Sequence, residues 1–109
     1  MSTSWQNTDL TYKLSLSQLY HVFIRYQFSK HGRNSYTIAR LVINSAIQPH
    51  TMSIRGNSGT THAGLFGFWQ GSLPAGTYQI TVQHRGGKSG KHYTIYNYLT
   101  RAMDIIYCY

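Results

Sequence analysis

Carboxylates are scarce in this chain, and their number limits the chemistry that it can do. The 109 residues contain only Asp9 and Asp104 as acids, against ten Lys and Arg, for a formal net charge of +8. General acid–base cleavage of a glycosidic bond requires two carboxyl groups close together. No Gly-x-Ser-x-Gly sequence marks a nucleophilic serine, and the six histidines show no pair at zinc-ligand spacing. We therefore expect a protein that is not an enzyme.

Aromatic side chains are the first candidates for binding. Trp69 has the opposite parity to Phe66 and Phe68, so in a strand the two sets face opposite ways. If the two phenylalanines are buried, Trp69 is a flat plate for the apolar face of a sugar ring. In the alternative, Trp69 packs inside the protein or against another subunit. His62 lies in a glycine-rich loop before this strand, and binding residues concentrate in such loops.

Planar polar side chains are the second group of candidates. Arg85 ends one predicted strand and Arg101 begins another, so either guanidinium could bind two adjacent hydroxyls or pair with Asp104. Asn97 lies among tyrosines and carries two hydrogen-bond donors and an acceptor. The predicted ligand-binding residues are therefore Trp69, His62, Arg85, Asn97, Arg101 and Asp104.

The clearest element is a strand that follows the turn Leu73–Gly76. In this strand Tyr78, Ile80 and Val82 alternate with Thr and Gln residues, the pattern of a half-buried antiparallel strand. Its polar face is neutral and offers hydrogen-bonding groups without charge, which suits sugar hydroxyls. Threonine is also a favoured strand residue, so the pattern has a purely structural alternative.

The rest of the chain continues this pattern and predicts one domain spanning residues 1–109. We expect about eight short strands, separated by Gly, Asn and Ser turns, and no helix. This predicts an all-β sandwich or barrel. Besides the two strands on either side of Leu73–Gly76, the predicted strands are Leu10–Leu16, Leu19–Phe28, Tyr36–Ile47, Thr51–Arg55, His92–Leu99 and Thr100–Tyr109.

Composition indicates location and partners. Charged residues are 11% of the chain, well below the roughly 25% of typical globular proteins, a composition common in secreted binding modules. No stretch is apolar enough to cross a bilayer, and Met1 begins no signal peptide. We expect a secreted protein in mature form with an added Met, although an intracellular protein fits the same sequence. Cys108 is the single cysteine, either a quiet thiol or an intermolecular bridge.

The positive charge indicates an acidic partner such as a sulfated glycan, an anionic membrane or nucleic acid. The cations are scattered and form no basic run, which disfavours nucleic acid. The segment Gly86–Lys91 contains Gly-Lys-Ser, but it lacks the spacing and the following helix of a phosphate-binding loop.

The second half of the chain resembles a known group of domains. The segments Phe66–Gly71, Leu73–Val82, His84–Arg85 and Thr100–Tyr107 resemble small jelly-roll domains of marine invertebrates, cnidarians especially. This group includes galactose-binding lectins and also C1q-like or collagen-associated modules. The resemblance implies a jelly-roll β-sandwich, homo-oligomeric assembly and recognition of galactose-containing glycans.

The expected function is that of a noncatalytic lectin, multivalent through oligomerisation. The aromatic finish Ile105–Tyr109 is a candidate for part of the subunit contact. Some lectins of this group hold the sugar through calcium, but calcium takes six to eight oxygens, usually including carboxylates. We therefore expect no metal and no other cofactor. The alternatives are a C1q-like structural module that binds protein partners, and a basic protein for acidic polysaccharide, membrane or nucleic acid.

Overall fold

Every regular element in the described part of the chain is a strand. The computed structural model describes residues 5–31, 35–57, 62–86, 94–96 and 102–108. Among them there is no helix long and apolar enough to cross a membrane. The eight strands are β1 (Gln6–Leu16), β2 (Tyr20–His31), β3 (Ser35–Ile43), β4 (Ala46–Asn57), β5 (His62–Leu73), β6 (Gly76–Gly86), β7 (Thr94–Tyr96) and β8 (Ala102–Cys108).

The strands form two antiparallel sheets that pack face to face. Sheet A has the order β1-β6-β3-β4. In sheet B, β5 pairs with one side of β2, and β8 and β7 follow one another along its other side. The prediction of an all-β sandwich of about eight antiparallel strands is confirmed.

The core lies between the sheets and is filled by alternate residues of β1, β2, β3 and β6, with Leu65 from β5, as the period of two requires. The alternation predicted for β6 is confirmed, because Ile80 and Val82 are buried while Thr77 and Gln79 are exposed. The buried cluster comprises Leu14, Leu16, Val22, Ile24, Tyr26, Phe28, Ala39, Leu41, Ile43, Leu65, Ile80 and Val82.

A two-residue turn separates β3 from β4. Asn44 and Ser45 both have positive φ, at 50° and 67°, which is the geometry of a type I′ hairpin turn. The predicted strand Tyr36–Ile47 was wrong at this point, because no glycine marks the turn. The turn is also attached to β6: the Asn44 N–H donates to the Gln79 carbonyl at 2.9 Å, and the Asn44 side-chain oxygen accepts from the Gln79 N–H at 2.7 Å.

A bulge interrupts the pairing of β3 with β4. Leu41 faces Gln48 and Ala39 faces Ser53, so residues 49–52 stand against Arg40 alone. Such a bulge leaves ladder groups unpaired, and here the buried Thr51 hydroxyl takes their place. It accepts the Leu41 N–H at 2.8 Å and donates to the Gln48 carbonyl.

A buried threonine hydroxyl also replaces ladder contacts at a bulge in β1. The pairing of β1 with β6 shifts between Asn7 and Thr11. There the Thr8 hydroxyl donates to the Val82 carbonyl at 2.8 Å and accepts the Leu10 N–H at 3.0 Å. Thr8 and Thr51 are the buried polar residues of the described part of the chain. Each hydroxyl therefore satisfies backbone groups that water cannot reach.

A buried hydrogen bond joins the sheets through the core. The Tyr26 hydroxyl, from β2, donates to the Thr51 carbonyl of β4 at 2.7 Å. Burial raises the pKa of the Tyr26 phenol well above its ordinary value, so it remains a donor. Gly67 of β5 passes so close that a Cβ there would meet the Tyr26 ring and lie 2.7 Å from the Thr51 oxygen. Three strands thus meet at one point where only glycine fits.

Replacing Thr51 by Val should lower the free energy of unfolding by about 1–3 kcal/mol, because the buried Leu41 N–H loses its acceptor while the side-chain shape is kept. Urea unfolding followed by circular dichroism measures this change. The matched control is Thr77→Val on the exposed face of β6, expected to stay within about 0.5 kcal/mol of the parent. Equal effects of the two substitutions would contradict the role given to Thr51.

Candidate functional site

The structure places Trp69 on the core side of β5. Its ring is partly buried, packs against the core cluster, and donates through Nε1 to the Gln48 side-chain oxygen at 3.0 Å. Phe66 and Phe68 are instead 67% and 50% exposed. An exposed Trp69 required Phe66 and Phe68 to be buried, and the structure shows the opposite orientation. The geometry favours the alternative, in which Trp69 is a packing residue.

Asp104 and Arg85 lie on opposite outer surfaces of the sandwich. Asp104 faces Arg25 across the β2–β8 ladder, and the Arg25 Nε and Nη2 atoms donate to one of its carboxylate oxygens, at 3.2 and 2.5 Å. Both side chains are half-exposed, so this pair contributes at most about 1 kcal/mol. Arg85 points outward from sheet A, so the alternative in which Arg85 pairs with Asp104 is wrong.

The remaining predicted residues cannot be added to one site. His62 opens β5 and its backbone pairs with that of His31, but its side chain lies outside the described part of the chain. Asn97 and Arg101 also lie outside the described residues, so the Arg101–Asp104 pairing stays a prediction. Among the described residues, no three potential metal ligands come together. The three predicted residues with described side chains, Trp69, Arg85 and Asp104, occupy three separate places.

A different set of polar residues does converge, on the outer face of sheet A. We call this surface the amide face. Its residues come from β1, the β3–β4 turn and β6, and all lie on the solvent side of the sheet. They are Asn7, Asn44, Gln79, Thr81 and Gln83.

The amide face is held in place by hydrogen bonds between its own side chains and their neighbours. Gln83 donates to the Asn7 side-chain oxygen at 2.9 Å and accepts from Arg40 Nε at 2.9 Å. Gln79 donates to the Thr11 hydroxyl at 2.7 Å, and that hydroxyl lies 3.0 Å from the hydroxyl of Thr81. These contacts fix the orientation of each carboxamide while leaving some of its donors and acceptors for a ligand.

A shallow groove runs along the amide face. It encloses about 330 Å³, and Val42 and Ile47 contribute apolar surface between the polar groups. Ile47 is 46% exposed, whereas Val42 is buried beneath its neighbours. Gln79 and Gln83 are four residues apart on one strand, a separation of about 13 Å. The groove therefore offers its polar groups to an extended ligand.

Two guanidinium groups and an indole lie at one end of this face. We call Trp5, Arg40 and Arg85 the cation cluster. The guanidinium carbon of Arg40 lies 3.8 Å from the centroid of the Trp5 ring, and that of Arg85 lies 5.3 Å from it. Because Arg40 also donates to Gln83, the cluster is continuous with the amide face.

The outer face of sheet B is apolar by comparison. We call it the aromatic face, and Phe23, Phe66, Phe68 and Ile106 form it. Phe23 and Phe68 are in ring contact, with centroids 6.2 Å apart, and Ile106 is 64% exposed. A groove of about 600 Å³ crosses it, bordered by the Arg25–Asp104 pair. Exposed apolar patches of this kind mark interaction surfaces.

Sequence reasoning identified the neutral face of β6 but not its partners. Asn7 and Asn44 lie next to Gln83 and Gln79 only because β1 and the β3–β4 turn flank β6. Arg40 is a single cation in the apolar sequence of β3. Such a residue must either have a partner or face outward, so its position indicates a surface role. Trp5 precedes the first strand, and no pattern indicated its place beside Arg40.

Comparison with known proteins gives one partial likeness. The chain is 32% identical over 63 residues to expansin-like protein 5 of Dictyostelium discoideum, an alignment that covers 54% of this chain and 26% of that protein. The chain thus corresponds to about a quarter of that relative. No family model matches the chain, and no solved structure matches it at a significant level.

Replacing Trp69 by Ala should lower the free energy of unfolding by about 3 kcal/mol or more, because the ring packs on the core and bonds Gln48. Phe68→Ala is the matched control, one position earlier on the same strand and facing solvent, with an expected loss below about 1 kcal/mol. Denaturant titration of both variants measures the difference. A larger loss in the Phe68 variant would contradict this assignment of faces.

Proposed function

We propose that this chain is a noncatalytic carbohydrate-binding module, a lectin for galactose-type sugars, and that the amide face is its binding site. The observation that carries the proposal is the row of oriented neutral side chains, Gln79, Thr81 and Gln83, flanked by Asn7 and Asn44. Sugar hydroxyls need donors and acceptors at fixed geometry. Groups that are already oriented lose little conformational entropy on binding, which favours affinity.

The groove also suits the mixed character of a sugar ring. Apolar C–H surfaces of the ring can pack on the exposed side chain of Ile47, while its hydroxyls meet the carboxamides on either side. Most ligand sites combine an apolar lining with a few placed polar groups in this way. Because the polar groups extend about 13 Å along β6, we propose that the site takes two or more adjoining sugar units.

The partial likeness to an expansin-like protein supports a β-domain that is associated with carbohydrate or cell wall. The preference for galactose rests on the resemblance of Phe66–Gly71, Leu73–Val82 and Thr100–Tyr107 to small invertebrate lectins. A secreted location belongs to the same proposal.

The noncatalytic part of the proposal is supported by the placement of the acids. The whole chain has two carboxylates. Asp9 is on β1 in sheet A, while Asp104 is on β8 in sheet B and bonds to Arg25. Glycosidic cleavage by a carboxylate pair requires both groups on either side of one bond. The amide face includes neither of them.

Removing the two β6 carboxamides together, by Gln79→Ala and Gln83→Ala, should weaken binding of a galactose oligosaccharide by about 10- to 100-fold, because several ligand hydrogen bonds are lost. Isothermal titration calorimetry measures the affinity, after a glycan array has selected the oligosaccharide. The matched control is Gln70→Ala, an exposed glutamine on the outer face of sheet B. Unchanged affinity in the double variant would refute the amide face as the site.

We further propose that the aromatic face joins two copies of the chain and so makes the lectin multivalent. Its four apolar side chains lie beside the Arg25–Asp104 pair, which places one charge of each sign side by side. A second copy can therefore approach here without the repulsion expected from a net charge of +8. Ile106 of the predicted contact segment lies on this face and is 64% exposed, as such a contact requires.

Ile106→Ser should shift the protein from dimer toward monomer by about tenfold or more in dissociation constant, since it removes exposed apolar area from the aromatic face. Sedimentation velocity over a concentration series measures the shift. Ile47→Ser is the control, because this isoleucine is similarly exposed on the opposite sheet. A parent protein that sediments as a monomer throughout would refute the proposed contact.

A further inference from the structure

The cation cluster brings two positive charges together from adjacent strands. In the β3–β6 ladder Arg40 faces Gln83 and Arg85 faces Ile38, so the two arginines are diagonal neighbours on one side of the sheet. Both side chains lie against the same ring, with their guanidinium carbons 3.8 and 5.3 Å from the Trp5 centroid.

This arrangement is unfavourable in the isolated protein. Burial, and then the positive charge of Arg85, lower the pKa of Arg40 from its ordinary value. The Nε atom of Arg85 is buried and has no hydrogen-bond partner, which costs free energy unless something else offsets it. Neither guanidinium forms an ion pair with a carboxylate of the described residues, where the Arg25–Asp104 pair lies on the opposite sheet.

The stabilising contacts leave the positive charge of the cluster in place. The Trp5 ring gives each cation a favourable interaction of about 0.5–2 kcal/mol, and the Gln83 oxygen accepts one hydrogen bond from Arg40. Both groups are neutral, so the local charge remains positive. An anion placed between the two guanidinium forks would relieve the repulsion and accept paired hydrogen bonds.

We propose that the cation cluster binds the anionic substituent, a carboxylate or sulfate, of an acidic galactose-type polysaccharide whose sugar units lie along the amide face. This inference rests on the proposed function, because the anion is assigned to one end of the same site. The continuity is physical: Gln83 is bonded to Arg40 on one side and to Asn7 on the other. Two cations beside a row of neutral amides fit a sparsely charged sugar chain better than the dense phosphates of nucleic acid.

The test compares matched polymers on the full chain and on two variants. Polygalacturonate carries carboxylates, carrageenan carries sulfates, and galactan is the neutral reference. Arg85→Gln removes one cation of the cluster. Lys13→Gln removes the same formal charge elsewhere on the solvent side of sheet A, where Lys13 faces Gln79. Biolayer interferometry at about 20 and 200 mM salt gives the affinities. Because the higher salt concentration screens charge interactions, an affinity that falls with salt identifies a charge contribution.

The parent protein should bind one or both acidic polymers about tenfold or more tightly than galactan at low salt, and this ratio should fall as salt rises. In Arg85→Gln the ratio should fall to about threefold or less, whereas Lys13→Gln should keep the parental ratio. The polymer that loses affinity identifies the anion as carboxylate or sulfate. If Arg85→Gln does not fold, Arg40→Gln replaces it, because this substitution removes the other cation of the cluster and the acidic-to-neutral ratio should fall in the same way.

Other outcomes would overturn the inference in distinguishable ways. Equal binding of galactan and the acidic polymers, or an equal effect of the two substitutions, refutes the acidic site and leaves the proposed function standing. Binding of no polymer at all refutes the proposed function itself. Binding of single-stranded DNA that Arg85→Gln abolishes, without any galactan binding, assigns the cluster to nucleic acid and refutes both.

Discussion

The hydrogen bond from the Tyr26 hydroxyl to the Thr51 carbonyl determines how the two sheets meet. A buried phenol needs a partner, and the partner here is a carbonyl that the β4 bulge has taken out of the ladder. The Thr51 hydroxyl then completes the ladder at Leu41. Gly67 allows β5 to pass over the Tyr26 ring at a distance that no Cβ would permit.

The bulge also places the charged end of the amide face. Arg40 stands against residues 49–52 rather than against a single partner, and bulges characteristically redirect the side chains around them. Its guanidinium reaches both the Trp5 ring and the Gln83 oxygen. The two sheets therefore present surfaces of different chemistry. Sheet A offers oriented amides and cations, whereas sheet B offers Phe23, Phe68 and Ile106 around one neutral ion pair.

The sequence predicted the sandwich and the faces of β6 correctly because both follow from a period of two. The same period could not say whether Trp69 or its phenylalanine neighbours face the core, since all three are large and apolar. The glycines next to Trp69 carry the missing signal. A Cβ at Gly71 would lie 2.9 Å from the indole, so an inward Trp requires a glycine there. Partners on separate strands, such as Asn7 and Gln83, depend on strand order, which local pattern does not encode.

The β1 bulge has a consequence for association between chains. β1 is one of the two outer strands of sheet A, and a straight outer strand invites another chain to extend the sheet. Here Thr8 turns its hydroxyl into the ladder, and Asp9 and Lys13 place charges along the same strand. An incoming strand would meet a kink and two charges instead of a regular row of donors and acceptors. A protein whose described residues lie almost entirely in strands thereby gains protection against fibrillar growth at that edge.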